Sequence, residues 1–592
     1  MENKKGKQAP GKHSGPNIFS ILKPYRGLIL VLIIFTLIGN GVNLVIPKII
    51  SHGIDSYSAG NYQVKVIATE FLVASLIIFI FSYLQSVVQT YASERVGRNL
   101  RSELSDKISR QSFSYIQKAN PSKLLTNLTS DIDSVKMFVS HAVASIVSSL
   151  FVIVGACILL LMINWKLALP VIAIVPVIGF AFFVVLKKVR VLFTRSREVI
   201  DWLNRVINES ILGAAIIRVL NAQMPEYQKF MTANLTAKEL GISILTLFAT
   251  LIPIINLVAN LATLTVLALG GHFVITGNLS LGDFAAFNSY ITILIFPIIV
   301  IGFMSNVIAQ ATASYGRIEQ VLKAPETTES GTVDQPLSGE ISLKNVSVLY
   351  DEKPALKNVS IEIRAGSRTA IIGPTAAGKS QLLYLLTGLI TPNSGVVEFD
   401  GINIRQFRRE AFHRQIGFVF QDSVIFNLAL RENIAFNNTV TDESLRLAVE
   451  TAELHNFIEA LPQKLDTVVS ERGASLSGGQ KQRIMLARAL ALNPKILLLD
   501  DFTARVDAQT EEKILANVAT NYPGITLVSV TQKIAPVMNY DQIILLMEGE
   551  VIASGTHAEL MKNCPEYIQI ANSQRSTNES REIDGLNGMV ER

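Results

Sequence analysis

The chain has 592 residues, 49% of them hydrophobic and 17% charged, with a mean hydropathy of +0.37 and a net charge of +5. That length exceeds a single compact core, and that hydropathy excludes an ordinary soluble protein. The basic residues sit in blocks between apolar runs, which is the pattern of a membrane protein's inner loops and not of a nucleic-acid-binding surface.

Residues 1–27 are basic and contain Gly and Pro. They read as a cytoplasmic tail and not as a signal peptide, because the apolar run that follows is long enough to span and has no small-residue cleavage site. A membrane helix needs about 20 apolar residues. Six runs meet that need: Leu28 to Ile46, Val66 to Val88, Ala142 to Ile163, Leu167 to Leu186, Ile244 to Thr276 and Phe284 to Ile308. They place a six-helix transmembrane domain at residues 28–322, with Pro253 and Pro297 tolerated inside spans. Lys and Arg crowd the tail, the segment Arg95 to Lys136 and the run beginning Lys187, whereas residues 277–283 have none. The bias puts both termini in the cytoplasm of a multi-pass cell-membrane protein. The segments after the second and fourth runs read as helical, so spans two to five are expected to continue well past the bilayer into the cytoplasm. Within the spans the polar residues are amides and hydroxyls, such as Asn40, Asn256, Asn288 and Tyr290. Near-absence of intramembrane charge disfavours an ion channel or a proton-coupled transporter.

Residues 323–336 read as a linker, 337–575 as an α/β domain and 576–592 as a polar tail. The apolar run Arg368 to Ile372 leads into Gly373-Pro374-Thr375-Ala376-Ala377-Gly378-Lys379-Ser380, with a helix expected from Gln381 to Leu389. This is a phosphate loop in its strand–loop–helix context. Backbone N–H groups and the helix N-terminus favour phosphate, Lys379 suits the β- and γ-phosphates, and Ser380 suits Mg²⁺. Leu497-Leu-Leu-Asp500 is a buried strand ending in a carboxylate suited to hold Mg²⁺ through water. Leu476-Ser477-Gly478-Gly479-Gln480 precedes a helix expected over Lys481 to Leu490. A second glycine-led helix start in one domain suggests two domains sandwiching two nucleotides.

The phosphate loop, LSGGQ and LLLD, in that order and fused behind six spans, resemble the ATP-binding cassette (ABC) exporters, specifically a half-transporter of the multidrug and lipid group. The resemblance covers about Ile21 to Ala571. It implies a membrane α-helical six-span domain followed by a P-loop α/β cassette with ATP and Mg²⁺ as cofactors. It also implies roles: Tyr350 stacks on adenine, Gln421 senses Mg²⁺, and Leu476 to Gln480 act on ATP held by a partner chain. Glu471 to Gly473 and Asp507 match further family positions. Asn120-Pro121 with Asp131 and Asp133, and Gly213 to Leu220, match the internal segments that couple the domains. Leu281-Gly-Asp283 and Arg317-Ile318 match the entry to and exit from the sixth span.

Two departures stand out. The family places Glu after the Mg²⁺ carboxylate, to act on the attacking water, and this chain has Asp501. The family places His about thirty residues later, against the γ-phosphate, and this chain has Gln532. Ala376, Gln381 and Arg505 also differ from the usual residues. With Lys379, Ser380, Asp500 and the signature intact, the pattern is similar to the weak-site subunit of heterodimeric bacterial exporters. It implies a second half-transporter with a complete site, a lipid bilayer, and an amphipathic drug or lipid as substrate, with no nucleic acid. A homodimeric exporter or flippase and a nucleotide-gated regulatory subunit are the alternatives.

Overall fold

The computed structural model describes residues 18–326, 331–350, 353–470 and 473–574, and the side chains of 503 and 504 lie outside the description. Both tails of the sequence, residues 327–330 and Glu471 therefore fall outside it. Contacts divide the chain into two units: one of residues 1–110 and 119–325, the other of 111–118 and 326–592.

The first unit is built on six long helices: α1 (Ile18–Ser58), α2 (Val64–Ser109), α3 (Pro121–Ile163), α4 (Trp165–Leu212), α5 (Gln223–Ile275) and α6 (Leu281–Leu322). Each is long and apolar enough to cross a bilayer. Their length of 41 to 53 residues exceeds the apolar run in every case, so the helices continue well past it. The extension is local in origin. Asn120 caps the start of α3 by accepting from the Ser122 N–H at 3.0 Å, and Pro121 follows at the first helical position, where a missing N–H costs nothing. A short helix, Ala214–Val219, lies between α4 and α5 within residues 213–220.

Large apolar side chains such as Leu72, Phe79 and Ile80 point outward, as expected of surfaces that meet lipid. Inside, Leu44, Val152, Leu160, Leu167, Phe287 and Tyr290 form one buried cluster. Gly155 lets Leu44 approach closely; a Cβ there would lie 2.5 Å from Leu44 Cδ1. Tyr290 Oη donates to Leu44 O at 2.9 Å, so one of the polar span residues is an interhelical tie. Asn40 instead donates to Thr36 O within its own helix, at 2.7 Å. Buried Asp131 on α3 is paired with Arg317 on α6. A second polar tie joins α1 to the start of α6. Asp55 accepts from Ser280 Oγ and the Gly282 N–H, both at 2.7 Å, and Lys48 meets Asp283 at 3.2 Å.

The second unit has two sheets among the described residues. Strands β1 (Ile341–Tyr350), β2 (Lys353–Ile363), β4 (Ser394–Phe399) and β5 (Ile402–Asn403) form an antiparallel sheet in the order β2-β1-β4-β5. The other holds β3 (Arg368–Ile372), β6 (Ile416–Val419), β7 (Ile496–Asp500), β8 (Thr526–Thr531), β9 (Gln542–Met547) and β10 (Glu550–Gly555), in the order β10-β9-β3-β8-β7-β6. All its pairs are parallel except β10–β9. The inner strands of this sheet are covered on both faces, which is why β7 and β9 are near-continuous apolar runs, while the edge strand β10 alternates between exposed and half-buried residues. Ala370, Ile372, Leu497 and Leu499 enter one core with the helices, while Ile371, Ile496 and Leu498 enter the other with β1, β2 and β4. Buried Phe399 and Phe412 meet edge to face at 4.9 Å in the second core.

Candidate nucleotide site

The loop between β3 and the helix α7 (Lys379–Leu386) is shaped by close approach. At Gly373 a Cβ would lie 2.0 Å from Leu546 O. At Gly378 it would lie 2.6 Å from Ala355 O, and the backbone there has φ +96°. Neither position admits a side chain. Ala376 stands at φ +65° with its methyl in place, so this departure from glycine keeps the left-handed turn at some strain. The helix starts at Lys379, two residues before the expected Gln381, and ends at Leu386. Gly378 caps it in the left-handed conformation, and its carbonyl accepts the first helical bond from the Leu382 N–H at 3.0 Å.

Lys379 Nζ donates to the carbonyls of Gly373 at 2.8 Å and Pro374 at 2.7 Å. Burial pushes its pKa down, against the opposing pull of Asp501 and Asp500. A partly desolvated ammonium is a strong partner for phosphate. Ser380 Oγ donates to Asp500 Oδ1 at 3.1 Å. The other carboxylate oxygen, Asp500 Oδ2, is buried with no hydrogen-bond partner. Burial raises the Asp500 pKa, and the Ser380 hydrogen bond opposes that rise. A buried unpaired carboxylate oxygen beside a hydroxyl is costly to leave unfilled. A hydroxyl, one carboxylate and Gln421 suit Mg²⁺, which takes few protein ligands and keeps waters and phosphate oxygens for the rest. Among the described residues no three of His, Cys, Asp and Glu cluster as a metal cage would require.

These residues line one open cleft of about 680 Å³. Thr375 to Ser380 form its floor, and Gln421, Asp500, Asp501 and Gln532 its wall. Asp501 directly follows β7, and its N–H donates to Val530 O at 2.9 Å. Gln532 follows β8, and its Nε2 lies 3.5 Å from Thr375 Oγ1. Tyr350 stands just outside the lining, and its hydroxyl donates to Gln381 Oε1 at 2.6 Å. Gln381, one of the unusual residues, thus ties the aromatic to the phosphate loop. Lys353, Pro354, Lys357, Glu548 and Gly549 also line the cleft. No motif announces them, since β2 and the turn between β9 and β10 bring them there. The one local signal is the Glu548-Gly549 turn, where both residues take positive φ, +47° and +83°.

Leu476 to Gln480 do not line this cleft. Helix α8 runs from Gly478 to Leu490, three residues earlier than the expected Lys481. The reason is a capping box. Ser477 Oγ accepts from the Gln480 N–H at 3.2 Å, and Gln480 Oε1 accepts from the Ser477 N–H at 2.8 Å. The Ser477 hydroxyl proton and the Gln480 NH₂ are left as donors at the helix N-terminus. Gly478 and Gly479 therefore lie inside the first turn, pressed against the loop after Asp501. A Cβ on Gly479 would lie 2.9 Å from Arg505 O. Arg488 anchors the other end of α8, with bonds to Asn433 O at 2.6 Å and Val424 O at 2.9 Å and with Phe426 and Phe436 on its flanks. Burial lowers its pKa to about 10.

Residues 29–298 match the model of the ABC transporter transmembrane region, and residues 356–504 match that of the ABC transporter. The "Uncharacterized ABC transporter ATP-binding protein YfiB" of Bacillus subtilis is 33% identical, over 94% of this chain and 98% of its own length. The "Probable multidrug resistance ABC transporter ATP-binding/permease protein YheI" of the same organism is 30% identical, over 90% and 92%. The "ATP-dependent lipid A-core flippase" of Syntrophus aciditrophicus is 28% identical, over 86% and 85%. A solved bacterial Atm1-family ABC exporter with ATP bound shares the fold, with a TM-score of 0.75 at 23% identity over 94% of this chain and 99% of that one.

Proposed function

Since this chain belongs to the ABC transporter family, as a multi-pass membrane ATPase that couples ATP hydrolysis to transport, we propose that it is one half of a heterodimeric exporter of amphipathic drugs or lipids. The observation that carries this reading is one cleft in which Lys379, Ser380 and Asp500 are assembled while Asp501 and Gln532 stand at the catalytic positions. Such a site is equipped to bind ATP and poorly equipped to cleave it.

The phosphate-loop N–H groups and Lys379 would hold the phosphates. Ser380, Asp500 and Gln421 would hold Mg²⁺, which when bound neutralises phosphate charge as the γ-phosphoryl passes to water and ADP departs. Tyr350, steadied by Gln381, would face the adenine. Removal of the water's proton needs a placed carboxylate, and Asp501 is one methylene shorter than the glutamate it replaces. Gln532 can donate a hydrogen bond to phosphate but brings no positive charge. The signature Leu476 to Gln480 lies off its own cleft with two donors free, which supports action on a nucleotide held by the second half-transporter. Preorganised donors at such a helix start are commonly worth about 10²–10³ in rate.

The basic blocks support a cytoplasmic placement of both termini and of the cassette. Uncharged spans and relatives named for lipid and multidrug transport support an amphipathic substrate, and the bacterial relatives support a bacterial cell membrane. Residues 28–322 would form the membrane domain and 337–575 the cassette. The test is ATPase activity of the chain coexpressed with the half-transporter that copurifies with it. Ser477→Ala is expected to cost far more activity than Asp501→Asn, because the site holding Asp501 has little turnover to lose. Equal loss, or brisk hydrolysis by this chain alone, would instead support a homodimeric exporter.

A further inference from the structure

The backbone that carries Gln532 is held from behind the cleft. Residues 565–574 are helical, and Tyr567 and Ala571, 0% and 4% exposed, seat this helix in the larger cassette core. Being four residues apart, they share a face. The Tyr567 hydroxyl also pairs with His557 Nδ1 at 2.7 Å. Gln574 comes three residues after Ala571 and so continues that face. Its Nε2 donates to Gln532 O at 2.6 Å, and its Oε1 accepts from the Ile534 N–H at 2.9 Å. Ile534 and Val537 are buried in the same core. One amide thus satisfies two backbone groups of the turn after β8, for which no strand or helix backbone among the described residues offers a partner. From that turn the Gln532 side chain reaches back to Thr375 of the phosphate loop.

We propose that Gln574 is a positioning residue for the nucleotide site, fixing the Gln532 backbone so that the Gln532 amide meets the terminal phosphate of ATP. The proposal rests on the reading of Gln532 given above. The physical reason lies in the donor. An imidazolium is drawn to phosphate by charge over several ångströms, whereas a neutral amide acts only within hydrogen-bond distance and alignment. A site that uses glutamine here depends on its backbone being held. Gln574 supplies that hold from a helix anchored independently of the phosphate loop.

Because only ATP carries the terminal phosphate, the readout is the ratio of ADP to ATP dissociation constants, measured with Mg²⁺ on the full chain in lipid nanodiscs before hydrolysis is appreciable. Gln574→Ala is expected to lower the preference for ATP about 5-fold, the worth of one hydrogen bond, with ADP affinity unchanged. Gln574→Glu keeps the acceptor for Ile534 but sets a carboxylate against Gln532 O, so it should lower the preference at least as far. Gln532→Ala should lower it too, and adding Gln574→Ala to Gln532→Ala should change nothing further. If Gln532→Ala lowers the preference and Gln574→Ala does not, the clamp is overturned while the role of Gln532 stands. If Gln532→Ala leaves the preference at wild type, both are overturned. Equal weakening of ATP and ADP by Gln574→Ala would mean general loosening of the cassette and would also overturn the clamp.

Discussion

Restoring the two altered side chains, Asp501→Glu and Gln532→His, tests whether they are what slows the site. The Asp501 backbone is pinned by the end of β7 and by its 2.9 Å bond to Val530, so the substitution changes reach and little else. One methylene advances the carboxylate by about 1.5 Å, a carbon–carbon bond length. Misplacement by about 1 Å can cost on the order of 10²-fold, and a general base is worth about 10²–10⁴-fold. Asp501→Glu alone is therefore expected to raise kcat by about 10²-fold. Gln532→His replaces a neutral donor by one that can carry charge, a difference of about 1 kcal/mol, or roughly 5-fold more. A cost falls on stability. Asp501 has φ +46°, a left-handed conformation that short polar side chains tolerate and Glu tolerates less well. A penalty of about 1 kcal/mol would lower Tm by roughly 2–4 °C in a domain of the cassette's size. The assay is phosphate release in nanodiscs at saturating ATP and Mg²⁺ by this chain together with its second half-transporter, the second half's own phosphate loop disabled so that only the site on this chain turns over, with Lys379→Ala as the blank. A folded double variant that hydrolyses no faster than wild type would refute the reasoning. So would a wild-type kcat already above about 10 s⁻¹, since no deficit would then exist.

Two further outcomes follow from particular contacts. Burial raises the Asp500 pKa beside Ser380, Lys379, Asp501 and Asp422, and Mg²⁺ needs the ionised carboxylate, so affinity for Mg²⁺ with ATP should fall with decreasing pH, starting above the ordinary aspartate range. The same raised pKa makes the unliganded fold relatively more stable at low pH, a gain lost as pH rises through the folded value; Asp500→Asn should remove both dependences, as read by titration calorimetry and thermal melts. Gly282→Ala would set a Cβ 2.1 Å from Ser51 O and 2.7 Å from Asp55 Oδ2, forcing α1 and α6 apart at the Asp55 tie. It should cost about 1–3 kcal/mol, and an unchanged melting temperature in detergent would refute that packing.

The chemistry visible in the linear chain is chemistry built from neighbours. A bilayer span is a local property of about 20 residues, so all six emerged from composition alone. The phosphate loop was equally plain, because strand, glycine turn, lysine and helix start are consecutive and their spacing is the mechanism. Asp501 and Gln532 could be set against a pattern because each follows directly on an apolar strand. The start of α8 is hidden in the sequence by the poor helix propensity of Gly478 and Gly479, which the Ser477–Gln480 capping box overcomes, whereas α7 starts at Lys379 because left-handed Gly378 turns the chain there without any side-chain cap. What no window of sequence contains is the meeting of distant segments. Asp55 with Gly282, Arg488 with Asn433, Gly549 with Ala355 and Gln574 with Gln532 are separated by tens to hundreds of residues, and each contact exists only once helices pack and strands order as β10-β9-β3-β8-β7-β6. Local hydrophobicity and turn chemistry chose the elements and the phosphate loop; the packing of those elements decided which polar groups would be left needing a partner, and which side chain from elsewhere would supply it.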